Sequence, residues 1–138
     1  MNVLIIDDSL AIRSRIVKSL LDVESIESIL QCKSIPEAQN IFARFQPDVI
    51  ITEFFLLNSD AVTMLQNMKH QKQSLKIIIL TDDMYEPFLI KCKKAGATHI
   101  LHKLHEFEKL PLILNGTYKP DPNNLLSSQK TVPLTYYD

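Results

Sequence analysis

Pro47-Asp48-Val49-Ile50-Ile51-Thr52-Glu53 is the stretch on which the fold turns. Four consecutive β-branched residues, Val49 to Thr52, follow a Pro-Asp turn signal and read as a buried strand, and the run ends on a carboxylate. A strand that is apolar on both faces belongs in the middle of an open parallel sheet. The carboxyl end of such a strand opens into the crevice where these folds bind ligands. Glu53 therefore marks the expected site.

Outward from this strand, short β-branched runs alternate with stripes at helical spacing, the signature of five βα units on a parallel sheet. A first strand covers residues 2–6, and Asp8 or Ser9 caps a helix that turns Ile12, Ile16 and Leu20 inward, with Val17 and Leu21. Residues 28–33 make a weaker strand. Pro36 then sits in the first turn of a second helix, which buries Ala38, Ile41, Phe42 and Phe45 and ends at Gln46-Pro47. Asn58, Ser59 or Asp60 caps a third helix with Val62, Leu65 and Met68 inward, and residues 76–80 form the fourth strand. Thr81-Asp82-Asp83 signals another cap, for a helix that stops at Lys93-Lys94-Ala95-Gly96. Residues 98–102 give the last strand. A final helix spans about 105–115, where Pro111 predicts a kink or a late start, and Gly116 closes it. Residues 1–116 are thus expected to form one domain. From Thr117 the apolar period is lost among Pro120, Pro122 and Pro133, so 117–138 reads as a linker or disordered tail.

Composition narrows the function. A net charge of −1 and the absence of a basic block give no general attraction to nucleic acid or to an anionic membrane. No apolar run approaches the roughly eighteen residues that a membrane span needs. Two cysteines without metal-ligand spacing, and a strand directly at the start of the sequence, suggest a reduced, cytoplasmic protein.

Parallel strands with right-handed crossovers bring all five carboxyl ends to one edge. There the first strand delivers Asp7 and Asp8, the third Glu53, the fourth Thr81 and the fifth Lys103. Three carboxylates at close quarters repel one another, and a hard cation with oxygen ligands, Mg²⁺, relieves that repulsion. Thr81 and Lys103 suit the non-bridging oxygens of a phosphoryl group beside the metal. The set points to phosphoryl transfer.

In order and spacing, Val3 to Ser9, Pro47 to Glu53, Ile79-Leu80-Thr81 and Gly96 to Lys103 resemble the receiver domain of two-component response regulators. The resemblance covers about residues 2–116. It implies a flavodoxin-like (βα)5 doubly wound sheet of order 2-1-3-4-5, with Asp7 and Asp8 in an acidic metal pocket, Thr81 as switch hydroxyl and Lys103 as phosphoryl contact. Glu53 stands where the family carries the phosphorylated aspartate. One extra methylene moves its carboxylate into space meant for metal and phosphoryl group, and in-line transfer tolerates about 1 Å of misplacement poorly. Asp82 adds negative charge where a phosphodonor enters, Ile100 replaces the usual aromatic switch residue, and Leu104 replaces the proline after the lysine. Leu57 and Ala61 replace the proline and glycine that follow the phosphoacceptor.

The expectation is an atypical receiver, a signalling and interaction module rather than an enzyme, inefficiently phosphorylated and acting through protein contacts. In one version Glu53 imitates a phosphorylated aspartate; in another it only pairs with Lys103 in an inert pocket. The resemblance further implies a histidine kinase as partner, and pairing of two copies through the last two helices and last strand. The tail resembles the linker of NarL/LuxR-type regulators, so DNA would be met only through a helix-turn-helix domain absent from this chain. The rival readings are an active Mg²⁺-dependent phosphoacceptor controlling such an output domain, and a flavodoxin-like cofactor binder, disfavoured because Asp7 and Asp8 occupy the place of a phosphate loop. Among smaller signals, strand alternation sends His99 and His102 to opposite faces, which argues against a metal site with His105. Cys32 and Cys92 read as packing residues, Phe54 and Phe55 as pocket lining or loop core, and Asp48 as a turn residue.

Overall fold

The computed structural model describes residues 1–53, 59–82 and 84–118. Expectations placed on Phe54, Phe55, Leu57, Asn58, Asp83 and the chain from Lys119 onward lie outside these residues. The strands are β1 (Asn2–Ile6), β2 (Ser28–Cys32), β3 (Val49–Glu53), β4 (Lys76–Thr81) and β5 (His99–His102). They form one parallel sheet in the order β2-β1-β3-β4-β5, as the resemblance implied. β3, the strand that ends on Glu53, lies in the middle of the sheet.

β3 is buried throughout because helices cover both faces of the sheet. Leu4, Ile6, Ile50, Ile77 and Ile79 point to one side, where they pack with α2 (Ile35–Phe45), α3 (Ser59–Gln71) and α4 (Glu86–Lys94). Val3, Ile5, Val49, Ile51, Ile78 and Leu80 point to the other, against α1 (Leu10–Leu20) and α5 (Lys109–Leu114). Full burial of each such isoleucine contributes about 1.5–3 kcal/mol. Among the described residues, no helix is long and apolar enough to cross a membrane.

Three expectations are corrected. Leu21 is 70% exposed, because α1 ends at Leu20 and its next residue faces solvent. Phe45, the last residue of α2, is half exposed beneath the Arg44 guanidinium, 5.6 Å from its ring centre. Thr81 does not cap α4: it is the last residue of β4, and α4 begins only at Glu86, after Tyr85. The last helix starts at Lys109, the late start that Pro111 predicted, and Pro111 lies in its first turn, where a missing N–H costs nothing.

Asp48 does more than turn the chain. Its carboxylate accepts from Asn2 N and from Lys72 Nζ, 2.7 and 2.8 Å away, tying the start of β1 to the residue after α3.

Candidate functional site at the carboxyl edge of the sheet

Alternation along β1 and β3 decides which charges meet. Ile6 pairs in register with Thr52, so Asp7 and Glu53, the next residues, follow side by side on the α1/α5 face. Both are buried, at 2% and 4% exposure, whereas Asp8 is exposed. Asp7 N bonds Cys32 O at 3.0 Å and its Oδ1 accepts from Ser9 N at 2.8 Å; Ser9 in turn caps α1 through Ile12 N. Lys103 is aimed by the ladder between β4 and β5, its N–H donating to Thr81 O at 2.7 Å. Its ammonium makes an ion pair with Glu53 Oε2. Thr81 lies almost fully buried at the end of β4, and Asp82 stands exposed after it.

Burial raises the pKa of Glu53; Lys103 opposes that shift, and the charges of Asp7 and Asp82 reinforce it. Asp7 is raised for the same reason, against the pull of the Ser9 N–H, Lys103 and Arg13. Burial alone would lower Lys103, but the hydrogen bond and charge of Glu53, with Asp7 and Asp82, outweigh it and hold the ammonium above its ordinary range. The cluster is therefore short of positive charge.

Two oxygens bear this out. Asp7 Oδ2 and Glu53 Oε1 are buried without a hydrogen-bond partner among the described residues. Such oxygens suit a hard cation that takes one or two carboxylates and keeps several waters, as Mg²⁺ does. Asp8 is not drawn in with them, and no group of three His, Cys, Asp or Glu among the described residues is placed to hold a metal. Ile100 is buried in the core on the α2/α3/α4 side.

Sequence reasoning missed Arg13. From the first turn of α1 its guanidinium donates to Asp7 O at 2.6 Å and to Gln31 Oε1 at 3.2 Å, clamping the acidic turn to β2. The signal available was a cation four residues past the cap. It also missed Glu106, a buried carboxylate that accepts from His102 N and pairs with Lys109. The rings of His102 and His105 lie 4.3 Å apart, tilted by 33°, while His99 packs edge-on against Tyr118.

The family model for the response regulator receiver domain matches residues 3–115. A curated relative, the response regulator GacA of Pseudomonas aeruginosa, is 21% identical over 101 residues, 73% of this chain and 47% of that protein. The chain thus spans about half the length of this relative. Among solved structures, the isolated REC domain of RcsB from Salmonella enterica serovar Typhimurium, in its apo form, superimposes with a TM-score of 0.73 at 25% identity, over 91% of this chain and 95% of that one. A LuxR-family two-component response regulator from Aurantimonas sp. SI85-9A1 gives 0.73 at 16% identity, over 94% and 95%.

Proposed function

The chain belongs to the response regulator receiver domain family, and from that premise we propose that it is an atypical member whose Glu53 prevents efficient phosphorylation and which signals through protein contacts. One observation carries the reading: the buried Glu53 carboxylate is already joined to the Lys103 ammonium. In a phosphorylated receiver the lysine at this position would meet phosphoryl oxygen. Here the longer side chain supplies the anion itself, with one charge and two oxygens against roughly −1.5 to −2 and three for a phosphate group.

Mg²⁺ would be held by Asp7 and Glu53 through their unpartnered oxygens, with the exposed Asp8 outside the first ligands. When bound it would supply the positive charge that this cluster lacks. Asp82 works against a phosphodonor, since its exposed carboxylate acts electrostatically on both Glu53 and Lys103 and repels an approaching anion. By kinship the partners are a histidine kinase and a second copy of the chain, met through α4, β5 and α5, in the cytoplasm. Residues 1–116 act as the receiver, and 117–138 lead toward any output domain, through which alone DNA would be reached.

Intact mass after incubation with acetyl phosphate and Mg²⁺ tests this, with Glu53→Asp beside the native chain. Gain of one phosphoryl group by the variant alone is expected. Modification of the native chain to a similar extent would overturn the proposal. Modification of neither would place the block at Asp82 and the other departures instead.

A further inference from the structure

The turn after β5 is closed by a histidine that accepts rather than donates. His102 Nδ1 receives the backbone N–H groups of Leu104, at 3.1 Å, and of His105, at 3.2 Å. A ring nitrogen accepting from two donors carries a lone pair, so the proton of the neutral ring sits on Nε2. The other side of the turn is stitched by Glu106, whose N–H donates to His102 O at 3.1 Å and whose Oε1 accepts from His102 N at 2.9 Å. Lys103 is the first residue of this turn. Its N–H is fixed to Thr81 and its ammonium to Glu53, and the closed turn holds the backbone that continues from it.

We propose that His102 is a positioning residue for Lys103: its neutral imidazole closes the turn that aims the lysine into the acidic pocket, and protonation releases it. In the imidazolium both ring nitrogens are donors, so Nδ1–H would face two N–H groups and neither could be accepted. The functional weight given to Lys103 rests on the reading above, but the closure of the turn does not. The titratable and charged groups that meet the turn are Glu106, whose carboxylate accepts from His102 N, Lys109, which pairs with Glu106, His105, whose ring centre lies 4.3 Å from that of His102, and Asp82, which follows Thr81, the register partner of His102.

Amide exchange followed by NMR on the ¹⁵N-labelled full chain, between about pH 8 and 5 where histidines titrate, tests this. Corrected for the intrinsic pH dependence of exchange, protection at Leu104 and His105 should fall about tenfold as His102 Nδ1 becomes protonated, the effect of one ordinary hydrogen bond lost. The Lys103 Nζ signal should move with the same midpoint. His102→Asn, whose side-chain oxygen accepts without titrating, should keep protection across the range, and His105→Gln should keep the native response. Protection that ignores pH in the native chain, an equal fall in His102→Asn, a response abolished by His105→Gln, or a Lys103 signal that does not move would each overturn the proposal. Phosphorylation of the native chain would sink the function proposed above and leave these readouts untouched.

Discussion

Glu53 and Lys103 are the two residues whose removal separates structure from signalling. Lys103→Met would leave a carboxylate at 4% exposure with no cation against it, beside Asp7. The chain should lose about 2–4 kcal/mol in urea unfolding at neutral pH. Adding Glu53→Gln should restore most of that loss, because an amide costs less to bury than an unpaired charge. Losses that simply add would mean the pair contributes nothing beyond its packing. At this scale the sequence exposed which strand ends carry charge, since the position of Glu53 after four β-branched residues is visible in the chain. It did not reveal that Asp7 is buried while Asp8 faces solvent, which depends on how the chain turns after Ile6. Nor could it reveal the partners of His102 and Glu106, which are set by the path of an irregular turn and leave no periodic signal.

At the scale of elements, regular pieces were legible and their ends less so. Every strand was recognised as a short apolar run bounded by turn signals, and the start of α2 was readable from Pro36 in its first turn, while its cap, Ser34, was not singled out. The late start of α4 was harder. Thr81-Asp82-Asp83 has capping chemistry, but β4 extends through Thr81, so that residue stays in the sheet. Two substitutions test helix ends, one at the cap that went unread and one at the stop that was read. Ser34→Ala removes the acceptor of Glu37 N and should cost about 1 kcal/mol. At Gly96 the backbone has φ +93°, and a Cβ would meet Ile77 Cδ1 at 3.5 Å, an ordinary contact. Gly96→Ala should therefore cost about 1 kcal/mol through backbone strain alone. Thermal unfolding of both variants checks this, and an unchanged midpoint for Gly96→Ala would show that the turn relaxes freely.

For the molecule as a whole, the parallel topology collects the carboxylates at one edge and leaves titrating groups elsewhere whose effects run in opposite directions. His99, on β5 and edge-on to Tyr118, has its pKa lowered to about 4, mainly by burial and further by the charges of Lys76 and Lys93. A depressed histidine stabilises the fold fully above its unfolded value of about 6.5 and loses that contribution as pH falls through the folded value, at most about 3 kcal/mol. Asp48, lowered by Lys72 and the Asn2 N–H, loses its contribution further down, as pH falls below the ordinary aspartate value. Asp7 and Glu53 act in the opposite sense. Their raised values make the folded state the better proton binder, so stability is recovered as pH falls through those folded values toward the ordinary carboxylate range. The native chain should therefore weaken from pH 6.5 toward 4 by less than His99 alone would dictate. Urea midpoints at pH 7.5, 5.5 and 4.5 resolve the two contributions: His99→Phe should flatten the acid loss, while Asp7→Asn with Glu53→Gln should steepen it. Parallel curves for all three proteins would mean that neither the edge of β5 nor the acidic pocket governs the acid response of this fold.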